Sequence, residues 1–376
     1  MNSPAENTSG TDAVHSASKP LPLRPTAATA TAVTIPDNST THTSAPQINT
    51  KSGASIYSKP LMLTAYDKYV LGFSMTHLWR CPSKTILIPL FRQNFRAEKH
   101  VDIGVGTGFF IGDALAERLA KDEDLMPLER DQDSKLAQPK IEITLMDLNA
   151  VALEKAKGRI MGVVNKHKAR AAGGHGNVLG SGKQSGHGHG ANVASTSQTV
   201  NVTTIQADVL DESLVLLPKG SKLSGLSKQF KSVSMFNLLH CLPAAPEAQG
   251  GQEIKNRAFK LAAACLADDG VLVGCTILGR KYIANPSRPS SSGGTGSGSG
   301  VVKKGVGRTS KKPSILKRGM TWTVMKWYNA TGVFGNWADE REGFEKGLRE
   351  NFEVVETHVE GCMLLFNAAR PKRSEL

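Results

Sequence analysis

Val101-Asp102-Ile103-Gly104-Val105-Gly106-Thr107-Gly108-Phe109-Phe110 reads as a short buried strand, a glycine turn, and a helix beginning near Thr107. Glycine has no Cβ, so such a turn brings bare backbone N–H groups against a ligand at a helix N-terminus. Asp102 lies inside the strand's end, where it is expected to face the ligand side of the turn. The spacing separates two ligand classes. A dinucleotide turn is G-x-G-x-x-G, whose third glycine would fall at position 109. That position is Phe, and the glycines stand at 104, 106 and 108.

Around this stretch the chain alternates strands and helices. Ile111, Leu115 and Leu119 give one helical face, and a polar segment from about 121 to 140 follows. Ile141-Glu-Ile-Thr-Leu-Met is a strand ending at Asp147. Asn149 is expected to cap a helix carrying Leu153, Ala156, Ile160 and Val163 on one side. A third strand runs from Val200 to Ala207 and ends at Asp208; a fourth is expected from Val233 to Leu239. Ile254, Ala258, Leu261 and Cys265 mark a helix stopped by Gly270, before a fifth strand over Val271–Ile277. Residues 352–358 and 363–368 form two adjacent strands joined at Gly361, expected to be antiparallel. Upstream, Tyr66, Val70, Phe73 and His77 follow helical spacing. Pro82 ends that unit, and Ser83 is expected to cap a second helix kinked by Pro89. The pattern predicts an α/β, doubly wound, seven-stranded and mostly parallel sheet with a terminal antiparallel pair.

In such a sheet ligands bind beyond the carboxyl ends of the strands. Asp102, Gly104, Gly106 and Gly108, then Asp147 with Leu148, Asp208 with Val209, and Asn237 with Leu238 all fall there. Asp147 is suited to a ribose, because a carboxylate presents paired acceptors to two vicinal hydroxyls. It follows Gly108 by 39 residues against ~20 in the compact case, and the polar segment accounts for the excess. The plainer alternative is that Asp147 only caps the next helix. His240 is the candidate general base, with an ordinary pKa of ~6.5. A histidine that merely packs against the sheet end is the competing reading.

The acidic-x-Gly-x-Gly-x-Gly form resembles the cofactor turn of class I S-adenosylmethionine (SAM) methyltransferases. That resemblance implies a turn wrapped around the methionine and ribose of SAM, Asp208 accepting from the adenine amino group, and backbone near Asn237 and Leu238 facing the methionine end. Adenine-specific DNA methyltransferases would show Asp/Asn-Pro-Pro-aromatic where this chain has Asn237-Leu-Leu-His240. Further matches are Tyr66-Asp67, Val70-Leu71-Gly72, Trp79-Arg80-Cys81-Pro82, Met146-Asp-Leu-Asn149, Leu238-Leu-His-Cys-Leu-Pro243 and Thr276-Ile-Leu-Gly279. Together they are similar to methyltransferases of microbial and fungal secondary-metabolite clusters, such as those of ustiloxin and phomopsin biosynthesis. The resemblance implies methylation of N or O on a small molecule or small peptide. The helices from Leu61 to Phe95 and the stretch Trp322–Trp337 are expected to cover the acceptor.

Composition bounds the rest. Residues 1–55 form a Ser/Thr/Ala/Pro tract expected to be disordered, and 173–198 and 284–312 read as flexible insertions within a methyltransferase domain over 56–372. The formal net charge of +13 is uneven: Arg280 to Arg318 holds ten Lys/Arg and no Asp/Glu, leaving 36 against 33 elsewhere. Such a loop could recruit RNA or a protein substrate, a less favoured alternative, as is a non-catalytic SAM-binding protein. His175, His187 and His189 sit among glycines with no rigid frame for a metal. Five scattered cysteines without a C-x-x-C pair argue for reduced thiols, no zinc and a cytoplasmic location. No apolar run reaches the ~18 residues of a membrane helix. Nothing in the sequence assigns an oligomeric state.

Overall fold

The computed structural model describes residues 67–124, 140–173, 199–211, 214, 226–244, 251–284 and 315–373. The tract at 1–55, most of the segment 121–140 and almost all of both insertions lie outside the described residues.

Seven strands form one sheet: β1 (His100–Ile103), β2 (Ile141–Asp147), β3 (Val200–Gln206), β4 (Phe230–Phe236), β5 (Leu266–Ile277), β6 (Phe352–Glu360) and β7 (Met363–Pro371). Their order is β3-β2-β1-β4-β5-β7-β6. The first five are parallel, and β7 runs antiparallel to both β5 and β6. All four residues of β1 are buried, whereas the edge strand β3 alternates between half-buried and exposed positions. A strand covered on both faces is buried at every position, and in β1 this includes the polar His100 and Asp102.

The α-helices are α1 (Ile88–Asn94), α2 (Phe109–Asp124), α3 (Ala150–Gly173), α4 (Arg257–Cys265), α5 (Arg280–Ala284), α6 (Ile315–Ala330) and α7 (Arg341–Asn351). Ile111, Leu115, Leu153, Ala156 and Ile160 bury the α2–α3 layer against one face of the sheet. Phe259, Leu261, Phe344 and Leu348 bury the α4–α7 layer against the other. The order in which strands are added reverses at β1, whose neighbours are β2 and β4, so the crevice for a ligand opens over the ends of those strands.

Several local expectations shift. The helix after the glycine turn starts at Phe109, two residues late. β4 spans 230–236, three residues earlier at each end than expected, so Leu239 belongs to a short 3-10 turn over Leu239–Cys241. α4 ends at Cys265, not Gly270, and the chain passes directly into β5. Val164 takes the buried position expected of Val163. Ser83 caps nothing: its hydroxyl donates to the Leu71 carbonyl at 2.7 Å, tying the second unit to the first. Pro89 stands at the start of α1, where the wide turn Ser83–Leu87 passes directly into the α-helix.

The leading helix, Asp67–Leu78, is wound wide, with Trp79 N–H donating back to Ser74 at 2.9 Å. Two ties hold it over the crevice. At its start, Asp67 accepts the Thr107 hydroxyl at 2.6 Å and pairs with Arg159. At its end, the Trp79 carbonyl accepts Cys362 N–H at 2.9 Å from the β6–β7 turn. Gly361 has φ +61° there, and a Cβ would collide with the Trp79 carbonyl.

Candidate active site

A cavity of about 580 Å³ opens over the carboxyl ends of β1 to β4, within the roughly 300–1,000 Å³ usual for small-ligand sites. Register places its floor: Ile103 pairs with Met146 and Asp102 with Ser234, so Gly104, Asp147 and Asn237 emerge side by side.

The three glycines, all at positive φ, do three different things. Gly106 lines the cavity, and a Cβ there would meet nothing within 4 Å. Gly104 also lines it but lies under Leu238, whose side chain would be 2.6 Å from a Cβ. Gly108 does not line the cavity. Its missing Cβ lets α2 start against α3, since Ala156 Cβ would be 2.8 Å away.

Asp147 lines the cavity and holds the turn in shape, accepting Gly106 N–H at 3.2 Å and Asn149 N–H at 2.9 Å. Burial pushes its carboxyl up, and those backbone N–H groups pull it partly back down. A carboxylate has about four acceptor sites, so capacity remains for a ligand's hydroxyls. Asn149 accepts Val151 N–H at 2.9 Å at the head of α3. Leu148, Asp208 and Val209 line the same end; Asp208 accepts Leu210 N–H at 2.9 Å.

Asp102 departs from expectation. It is buried behind the turn and does not line the cavity. Ser234 donates its hydroxyl to Asp102 at 2.5 Å and also contacts His100 Nε2 at 3.0 Å. Burial pushes the Asp102 carboxyl up to about 7, against the downward pull of Ser234. A native pKa above the unfolded value near ~3.9 means that the native state binds the proton more tightly. The resulting stabilisation is complete below about pH 4 and is lost as pH rises to about 7. Asp102→Asn cannot titrate, so between pH 4 and 7 its unfolding free energy is expected to fall less steeply than that of the wild type. Urea unfolding at a series of pH values measures both slopes, and equal slopes would refute the assignment.

Asn237 follows β4 at φ +59°, with its N–H donating to the Cys275 carbonyl at 3.0 Å. Asn237 and Leu238 both line the cavity. His240 lines it too, edge-on to Phe334 with ring centroids 4.6 Å apart. Its Nδ1 accepts Ile277 N–H at 3.3 Å, which leaves the proton of the neutral ring on Nε2. Burial, with the Lys255 charge adding to it, pushes the His240 pKa down to about 3. The Thr276 hydroxyl lies 3.5 Å from the same Nδ1, so the contacts of the His240 ring with β5 gather on that nitrogen.

The rest of the wall is aromatic. Tyr69 and Trp79 come from the leading helix and its end, Trp327 and Tyr328 from α6, and Phe334 from the loop after it. Trp322 and Trp337 pack on each other at 6.2 Å and do not line the cavity. Phe334, Lys255 and Asp339 were not singled out by sequence reasoning. Lys255 lies fully buried, donating to Asp339 at 2.6 Å and to the Gly335 carbonyl at 2.9 Å. Gly335 N–H in turn donates to the His240 carbonyl at 2.9 Å. A lysine beside one apolar stripe carries no signal of burial until its partner, 84 residues away, is placed.

Among the described residues there is no cluster of three His, Cys, Asp or Glu able to hold a metal, and no helix long and apolar enough to cross a membrane. The three histidines of the 173–198 insertion lie outside the described residues, as does most of the basic 280–318 stretch.

No family profile matches the chain. The O-methyltransferase NEC2 of Pyricularia oryzae is 30% identical over 322 residues, covering 85% of this chain and 92% of that protein. The methyltransferase aurB of Calcarisporium arbuscula is 30% identical over 323 residues, 86% of this chain and 99% of its own length. A physcion biosynthesis cluster O-methyltransferase of Aspergillus chevalieri is 28% identical over 323 residues, 86% and 97% of the two chains. With that identity across nearly the whole of these relatives, and with a cavity at the switch point of a seven-stranded sheet, the chain belongs to the SAM-dependent methyltransferases, in the branch of fungal secondary metabolism.

Proposed function

We propose that the protein transfers a methyl group from SAM to a hydroxyl oxygen of a small, flat, apolar acceptor. The observation that carries this is the two-ended cavity. One end has the open Gly106 turn with Asp147 and Asp208; the other is walled by Trp79, Tyr328 and Phe334. When bound, SAM supplies an electrophilic methyl on a sulfonium. Asp147 would take the ribose hydroxyls, with Leu148 beside it. Asp208 and Val209 would hold the adenine, and Gly104, Asn237 and Leu238 the methionine end. Gly108 and Asp102 would support the turn from behind.

The residues fit this group on two counts. Gly106 leaves room for close approach of the ligand to the backbone, and Asp147 keeps unused acceptor sites. Positioning carries most of the acceleration, since aligning two reactants can supply ~7–11 kcal/mol. The aromatic wall excludes water and stacks a planar acceptor. It also offers cation–π attraction of ~0.5–2 kcal/mol to the sulfonium. Oxygen is favoured over nitrogen by the names of the relatives, NEC2 and the physcion-cluster enzyme both being O-methyltransferases. The buried free thiols of Cys81, Cys265, Cys275 and Cys362 support a reducing compartment, the cytoplasm.

Calorimetry should detect SAM binding. Incubation with methyl-labelled SAM and a panel of hydroxylated aromatics should then label an oxygen. A protein that binds no SAM, or labels only amines, would overturn this reading.

A further inference from the structure

The exposed side of α6 is apolar where a surface helix is ordinarily polar. Leu316, Met320, Thr323, Trp327 and Ala330 follow one another at spacings of four, three, four and three residues, which places them on one stripe of an α-helix. All five are exposed, Leu316 to 83% and Trp327 to 59%, whereas Thr321 and Met325 on the opposite side are buried. Lys317 and Lys326 are exposed on the two edges of the stripe. With Arg318 they give α6 three positive charges, and the helix has no Asp or Glu. The apolar surface continues onto the leading helix. There Tyr69 and Phe73, both exposed, stack at 5.9 Å, and Phe73 meets His77 at 5.0 Å. The Tyr69 hydroxyl is hydrogen-bonded to that of Tyr328, whose ring lies 5.1 Å from Trp327. A row of rings therefore runs from His77 to Trp327 and joins the α6 stripe beside the cavity that Tyr69 and Trp327 line.

We propose that this face, the α6 stripe with Tyr69 and Phe73 beside it, docks onto an anionic lipid membrane surface, with α6 lying in the plane of the headgroups. A helix sits in that interface when its apolar side chains reach the acyl boundary while its lysines extend to the lipid phosphates. Tryptophan and tyrosine suit the same depth, because each has an apolar body and a polar tip. Other occupants fit less well. A second copy on the same stripe would set Lys317 and Lys326 of one helix against those of the other, like charge against like. The chain before α6, residues 285–314, has no acidic residue and only Val301, Val302 and Val306 as large aliphatic side chains. It therefore offers the stripe neither opposite charge nor much apolar area. An anionic lipid surface offers both. Docking of this kind does not depend on which group the enzyme methylates; it would turn the mouth of the cavity toward the lipid.

The test mixes the full chain with vesicles of phosphatidylcholine, with and without phosphatidylserine, and sediments them. The protein is expected to sediment with the phosphatidylserine vesicles, less so as salt rises, and its tryptophan emission should shift to the blue on binding. K317Q/K326Q should weaken that binding roughly 30-fold, the loss of two cations near an anionic surface. L316S/M320S, at exposed positions that do not line the cavity, should weaken it at least about 10-fold by removing apolar area from the interface. Thermal unfolding of both variants is expected to match the wild type, which separates lost docking from lost fold. Absence of binding to the phosphatidylserine vesicles would overturn the proposal. Binding that L316S/M320S leaves intact would do the same, because charge elsewhere in the chain would then be holding the protein. A dimer that L316S/M320S disperses, without vesicle binding by the wild type, would assign the face to a second copy.

Discussion

Replacing Asp147 with Ala is expected to raise the Kd for SAM roughly 5- to 150-fold, a loss of about 1–3 kcal/mol. The carboxylate stands at the end of β2 with two of its acceptor sites on Gly106 and Asn149 N–H. Asp147 lines the cavity, where a ribose would offer two vicinal hydroxyls, and hydrogen bonds to a charged group are the stronger kind. Its removal also frees the Gly106 N–H, so part of the loss would come from a looser turn. Calorimetry on the wild type, Asp147→Ala and Asp147→Asn separates these parts, because the amide oxygen can still receive one N–H. An unchanged Kd in Asp147→Ala would remove Asp147 from the cofactor site.

A larger effect on stability is expected at Lys255. Lys255→Met should destabilise the protein by about 3–5 kcal/mol, because it leaves the Asp339 carboxylate buried without its partner. For a domain of this size that corresponds to a Tm lower by roughly 6–20 °C. Lys255 and Asp339 are 0% and 1% exposed. Burial pushes the Asp339 carboxyl up and the Lys255 amine down, so at both ends desolvation outweighs attraction. The double variant Lys255→Met/Asp339→Leu, which removes both charges, is therefore expected to recover most of the loss. The pair also anchors the loop that presents Phe334 to His240, through Gly335. The KM for the acceptor should accordingly rise more in Lys255→Met than the Kd for SAM does. Thermal unfolding of the two variants, with both constants measured below the lower Tm, checks this. A single variant as stable as the double would show that the buried charge is not what costs.

Much of the architecture could be read from local pattern. The strand, the glycine turn and the helix at 101–110, the acids ending β2 and β3, and the terminal pair around Gly361 all follow from periodicity and turn chemistry. Those signals span a few residues and depend on neighbours in the chain. The start of β4 and the end of α4 are not legible locally, because Phe230 and Leu266 are apolar residues that suit either element. Pairing with β1 and β5 decided them.

The sequence by itself determined the fold class, the SAM-type turn and the side of the sheet on which a ligand binds. The first rests on the alternation of strand and helix patterns along the chain, the second is a resemblance carried by the glycines at 104, 106 and 108, and the third follows from a parallel sheet. Only the tertiary structure decided which members of the motif line the cavity. Gly106 opens to the cavity while Gly108 packs on Ala156, and Asp102 turns to Ser234. It also placed the backbone N–H of Ile277, on the neighbouring strand, against Nδ1 of His240. The direction of a side chain and the seat of its proton depend on atoms that are distant in sequence and adjacent only once the sheet has formed.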